Sequence, residues 1–162
     1  MSTAMSEKMP MTVHGKEMLE TELKRLLHEE RPSIIKAIEE ARSHGDISEN
    51  AEYEAAKDRQ GMVEARISDI QTKIALSEVV NPAEIKADRV VFGATVTIKD
   101  IEDESKVTYQ IVGVDEADVK SGKISIMSPI ARSLIGKRIS DIVTVHSPKG
   151  EKEYEVIAFK YQ

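Results

Sequence analysis

The chain has 162 residues, 40% hydrophobic and 32% charged, which fits one ordinary domain or two small folded modules. It has no cysteine, which excludes a disulfide framework and a thiolate metal site. A net charge of −6 and a pI near 5.3 argue against a general nucleic-acid binder built on a broad basic face. Residues 1–80 carry 11 Lys+Arg against 16 Asp+Glu and residues 81–162 carry 12 against 13, so most of the acidity lies in the first half.

Met1 to Met11 lacks the apolar core of a secretory signal, and no run approaches the ~20 apolar residues of a membrane span, so a cytoplasmic protein with no membrane partner is expected. Residues 1–9 read as a flexible leader, with Pro10 marking its end. His14, His28, His44 and His146 are too scattered to form a local metal motif.

From Gly15 to Leu76 the residues favour helix, broken only at Pro32, Gly45 and Gly61. Tyr53, Ala56, Gln60, Val63, Ile67, Ile70 and Ile74 advance in steps of three and four, forming an apolar seam with one polar interruption. The facing stripe is Leu19, Leu23, Leu26, Ile34, Ile38 and Ala41, whose extra four-residue steps near Pro32 predict an irregular turn around 30–33. A reversal at His44 to Ser48 makes the two stripes an antiparallel hairpin, with arms of roughly 45 Å at 1.5 Å per residue. Residues 10–80 are thus assigned to a coiled-coil hairpin with an acidic tip at 44–50.

After Asn81-Pro82, β-branched residues alternate with polar ones and glycines recur. Strands are predicted at 94–99, 107–112, 124–126, 142–145 and 154–159, with a turn at Pro148-Lys149-Gly150. Ser128 to Gly136 reads as one short helix, capped by Ser128, with Pro129 in its first position and Gly136 past its end. The fold class is therefore α+β: a helical hairpin over 10–80, then a small domain over 81–162 in which an antiparallel sheet covers one short helix.

The tip admits two readings. Asp46 could cap the second helix, with Glu49 returning a bond to the cap's own N–H. Capping uses one of about four lone-pair directions, so the same two carboxylates could also hold a divalent cation. Magnesium wants six oxygens, so two carboxylates alone would bind it weakly, and the pair makes chemical sense beside a metal site supplied by another protein. Arg42 and Lys57, with Arg59, flank the tip and are either solvated charges or a small basic patch for one nucleic-acid strand.

Several stretches carry a resemblance: Pro10-Met11-Thr12; Arg42 to His44; Gly45-Asp46-Ile47-Ser48-Glu49-Asn50-Ala51-Glu52-Tyr53; Phe92-Gly93-Ala94-Thr95-Val96; and Ser128-Pro129-Ile130-Ala131-Arg132 with Leu134 to Lys137. Together they resemble the bacterial Gre transcription elongation factors over nearly the whole chain. The resemblance implies an FKBP-like fold for the second domain, which docks on bacterial RNA polymerase, and a hairpin that reaches down the polymerase secondary channel. Asp46 and Glu49 match the family's metal-binding tip acids, which help the polymerase hold a Mg2+ ion and cleave backtracked RNA near its 3′ end. Arg42 and Lys57 match the basic patch for that RNA, and Ser128 and Pro129 match the polymerase-docking segment. On this footing the chain carries no complete active site, binds no cofactor stably by itself, and acts as a monomer. Lys57 stands where the family commonly has arginine, which keeps the charge but loses a forked contact. The small basic patch and acidic pI favour the branch associated with short cleavage products.

Three other readings stay open. A channel occupant that only binds would not need both Asp46 and Glu49. A prolyl isomerase would need an aromatic-lined pocket, which 4% aromatic content disfavours. The last is a hairpin chaperone.

Overall fold

The computed structural model describes residues 8–45 and 50–162. In chain order it contains strand β1 (Met9–Thr12), helix α1 (Val13–Arg25), a π-helical turn (Leu26–Glu30), α2 (Arg31–Arg42), α3 (Ala51–Leu76) and β2 (Ser77–Val80). There follow β3 (Thr95–Asp100), β4 (Lys106–Val112), β5 (Lys123–Ser125), α4 (Pro129–Leu134), β6 (Ile142–Ser147) and β7 (Gly150–Lys160). The α+β class expected from the sequence is the one observed. The chain divides into two compact units, Lys16–Leu76 and a second comprising Lys8–Gly15 with Ser77–Gln162.

The first unit is the helical hairpin. Leu19, Leu26, Ile34 and Ala41 from the leading helices and Ala56, Ile67 and Ile70 from α3 are buried, with the remaining seam residues half-buried. The buried leading residues are spaced seven, eight and seven apart, and the eight-residue step from Leu26 to Ile34 contains the π turn. A π turn holds one residue more than an α turn, so the extra residue is absorbed while the apolar face stays aligned. The Arg31 N–H donates to the Leu26 carbonyl, and Pro32, which has no N–H to give, follows at the start of α2. The irregularity expected at 30–33 therefore lies a few residues earlier, where the excess residue is.

Long polar side chains cross the hairpin outside the seam. Arg31 grips Glu64 through Nε and Nη2, both at 2.7 Å, and Arg66 grips Glu22 the same way at 2.8 and 2.7 Å. Arg66 also reaches Asp69 at 2.9 Å, and Lys73 meets Asp69 at 3.1 Å.

The second unit is built on a five-stranded sheet in the order β5-β4-β3-β7-β6. Strand β3 alternates inward Val96, Ile98 and Asp100 with outward Thr95, Thr97 and Lys99, the period-two pattern read from the sequence. Its core is Val90, Ala94, Val96, Ile98, Ile111, Ile124, Val143 and Val156, joined by Ala131 and Leu134 of α4. The sheet is not wholly antiparallel as expected. β4 and β5 pair in parallel, because the 3-10 turns at 114–116 and 119–121 lie between them in place of a tight hairpin.

β1 and β2 form a separate parallel ladder, Met9 opposite Ser77 through Thr12 opposite Val80. Met9 and Pro10, expected in the leader or at its edge, are thus strand residues, while residues 1–7 lie outside the described residues. Residues 10–15 and 77–80, assigned from the sequence to the hairpin, group with the sheet unit. Glu116 contributes to this grouping: its carboxylate accepts from the Thr12 N–H at 3.0 Å and from the Thr12 hydroxyl.

Candidate functional site

At the reversal, α2 ends at Arg42 and α3 begins at Ala51. Asn50 ties the two ends: its side-chain amide donates to the Ala41 carbonyl at 2.6 Å, and its oxygen accepts from the Tyr53 N–H at 3.1 Å. That is an N-cap bond on α3, and Glu54 N–H to Asn50 O at 3.1 Å is the first bond of the helix. The described N-cap of α3 is therefore Asn50. Asp46 and Glu49 lie outside the described residues.

Just inside the reversal, α2 and α3 enclose a groove of about 250 Å³ lined by Ile35, Ile38, Glu39 and Arg42 on one side and Tyr53, Lys57 and Gln60 on the other. Arg42 and Lys57 both line this groove. Arg42 lies over the Tyr53 ring, its guanidinium carbon 6.0 Å from the ring centre. Lys57 Nζ donates to Gln60 Oε1 at 3.0 Å. Among the described residues neither cation is in an ion pair, whereas Arg59 meets Glu30 at 3.8 Å and His44 meets Glu52 at 3.4 Å. Sequence reasoning found both cations, and it saw Gln60 only as a polar gap in the seam. Ile35, 45% exposed, fell outside the seam and gave no signal.

Among the described residues no group of three or more His, Asp or Glu side chains is placed to hold a metal ion. The carboxylates of Asp46 and Glu49 have the oxygen-donor chemistry that suits magnesium, but two residues cannot fill its octahedron.

In the sheet unit, Ser128 caps α4. Its hydroxyl donates to the Ser125 carbonyl at 2.7 Å and accepts from the Ala131 N–H at 3.3 Å. Pro129 follows at the first helical position, where its missing N–H costs nothing. With the Ser128 hydroxyl engaged, this corner presents the exposed ring of Pro129 and the Met127 side chain, which is 55% exposed.

A helical hairpin with a cationic groove beside its reversal, followed by a sheet domain with its own core, defines a two-unit α+β protein. The chain belongs to the GreA/GreB family of transcription elongation factors: the family's N-terminal domain matches residues 9–79 and its C-terminal domain residues 85–161. It is 55% identical over 156 residues to the transcription elongation factor GreA of Neisseria meningitidis serogroup A, covering 96% of this chain and 99% of the relative. It is 58% identical over 153 residues to that of Ralstonia nicotianae, covering 94% and 97%. Among solved structures, GreA factor homolog 1 of Thermus thermophilus is 27% identical, covers 94% of this chain and 98% of its own, and has a TM-score of 0.43.

Proposed function

We propose that this chain enters the secondary channel of bacterial RNA polymerase and stimulates the polymerase's own Mg2+-dependent cleavage of backtracked RNA, so that arrested elongation resumes. The observation that carries this reading is the groove itself, in which Arg42 and Lys57 converge with no carboxylate partner among the described residues. Two cations that have no carboxylate partner among the described residues and lie beside an aromatic ring suit the phosphates of a single strand.

Asp46 and Glu49 are the residues that would hold a Mg2+ ion shared with the polymerase, whose presence would supply charge neutralisation and an activated water at the scissile phosphate. Asn50 supplies the N-cap bond of α3, so the role given to the two acids does not require either of them to serve as that cap. Arg42 and Lys57 hold the 3′ segment of the displaced RNA, and Ser128 and Pro129 form part of the face that docks on the polymerase. In this reading the chain has no complete catalytic site, binds no cofactor stably alone, and works as a cytoplasmic monomer. No helix among the described residues is long and apolar enough to cross a membrane.

The test is to add the purified protein and magnesium to a stalled, backtracked polymerase complex carrying labelled RNA. Short 3′ fragments should appear. Asp46→Asn and Glu49→Gln should abolish them while each variant still competes with the wild type for the polymerase. Undiminished cleavage by both variants would overturn the assignment of the tip acids.

A further inference from the structure

Gln60 occupies a seam position of α3 where every neighbour at seam spacing is apolar or aromatic, yet its side chain lines the groove beside the reversal. Lysine can only donate, so the atom of Gln60 that faces Lys57 Nζ at 3.0 Å must be the amide oxygen. This fixes the orientation of the amide and turns its NH2 group, with two donors, away from Lys57. Among the described residues that NH2 has no hydrogen-bond partner. The remaining lining supplies an apolar surface from Ile35 and Ile38 and a guanidinium plane from Arg42 braced on Tyr53. Two cations against the single carboxylate of Glu39 leave the lining net positive.

We propose that this groove takes one nucleobase of single-stranded RNA and that Gln60 is its base-contacting residue. The amide NH2 donates to an acceptor on the base edge, the base rests against Ile35 and Ile38, and Arg42 and Lys57 hold the adjoining phosphates. About 250 Å³ lies below the roughly 300–1,000 Å³ of pockets that hold a drug-sized ligand and suits a single ring system. Splayed single-stranded bases are recognised in this way, by contact with their faces and hydrogen bonds to their exposed edges. Gln60 has this role only if the hairpin meets backtracked RNA as proposed above. A purely structural alternative is that Gln60 sets the register of the hairpin, as single polar seam residues do.

Backtracked polymerase complexes separate these cases when each extruded nucleotide in turn is replaced by an abasic one. With normal RNA, Gln60→Leu should raise the protein concentration for half-maximal cleavage roughly threefold to tenfold, the loss of one hydrogen bond. Gln60→Glu, which keeps the Lys57 contact but has no NH2, should do at least as much. At one extruded position the abasic RNA should bring wild type and Gln60→Leu together. If both variants shift cleavage equally at every abasic position, or not at all, the assignment of Gln60 is overturned while cleavage itself stands. If the wild type cleaves nothing, the RNA-cleavage reading fails first.

Discussion

The carboxylate of Glu116 receives both the N–H and the hydroxyl of Thr12, although 104 residues separate them, and it fills the space beside Gly15. A Cβ on residue 15 would lie 2.3 Å from Glu116 Cδ. The Thr12 hydroxyl also accepts from the Gly15 N–H at 3.1 Å, so the first turn of α1 and the carboxylate hold one another in place. Both Thr12 and Glu116 are buried, and a buried carboxylate is tolerated only with such partners.

Gly15→Ala should therefore destabilise the protein by about 1–3 kcal/mol, against the gain of up to ~1 kcal/mol that alanine brings to an open helical site. Glu116→Ala should cost a similar ~1–3 kcal/mol by leaving the Thr12 groups unpaired. The two should not add, because removing the Glu116 side chain makes room for the new methyl. Urea unfolding of the two single variants and the double variant measures the coupling, and strict additivity would refute this account of Gly15.

Asn50→Ala should cost about 1–2 kcal/mol, since it removes both the cap on α3 and the bond to Ala41. Asn50→Asp keeps an acceptor for the Tyr53 N–H but has no NH2 for the Ala41 carbonyl, so it should fall between alanine and the wild type. Thermal unfolding followed by helical circular dichroism gives the order. An aspartate variant as stable as the wild type would show that the Ala41 bond contributes nothing.

Gly61 lies inside α3, and beyond its chain neighbours and the adjoining helix backbone nothing comes within 4 Å of where its Cβ would be. Alanine there should stabilise the hairpin by about 0.5–1 kcal/mol through reduced freedom of the unfolded chain and better helix propensity. A rise in the urea midpoint without change of slope is the expected readout, and a fall would mean that the site is not open.

The hairpin was legible because burial follows the period of the apolar residues: the stripe positions from Leu19 to Ala41 and from Tyr53 to Ile74 are buried or half-buried. Strand β3 was legible for the same reason at period two, and the other sheet strands by their runs of β-branched residues between turn residues. β1 and β2 were not, since Met-Pro-Met-Thr and Ser-Glu-Val-Val are four residues long and each gains its partner from the far end of the hairpin. Strand direction was equally hidden, because alternation at β5 is the same whether its neighbour runs with it or against it. At the reversal, Asp46 and Asn50 are both good capping residues, and only the bond to Tyr53 N–H identifies Asn50 as the one α3 uses. Gln60 was visible as an anomaly, but its meaning depends on Lys57 lying one turn away and fixing its amide.

Acidification should loosen the hairpin through its crossing ion pairs. The Arg66 guanidinium, hydrogen-bonded to Glu22, holds that carboxyl below its usual range, and Arg31 does the same to Glu64. Asp69 is lowered by Lys73 and then by Arg66. Because these values are lower in the folded chain, the unfolded chain binds more protons as pH drops below the ordinary carboxylate value of about 4. The pairs' contribution is thus fully present above that value and is lost as pH falls through the lowered folded values. These groups are partly exposed, so the Arg66–Glu22 pair is worth no more than about 1 kcal/mol. Glu22→Gln with Glu64→Gln should lower the melting temperature near neutral pH and flatten its decline below about pH 4. Melting curves of both proteins across that range give the comparison: parallel declines would place the acid sensitivity elsewhere, and convergence of the two at low pH would place it in these pairs.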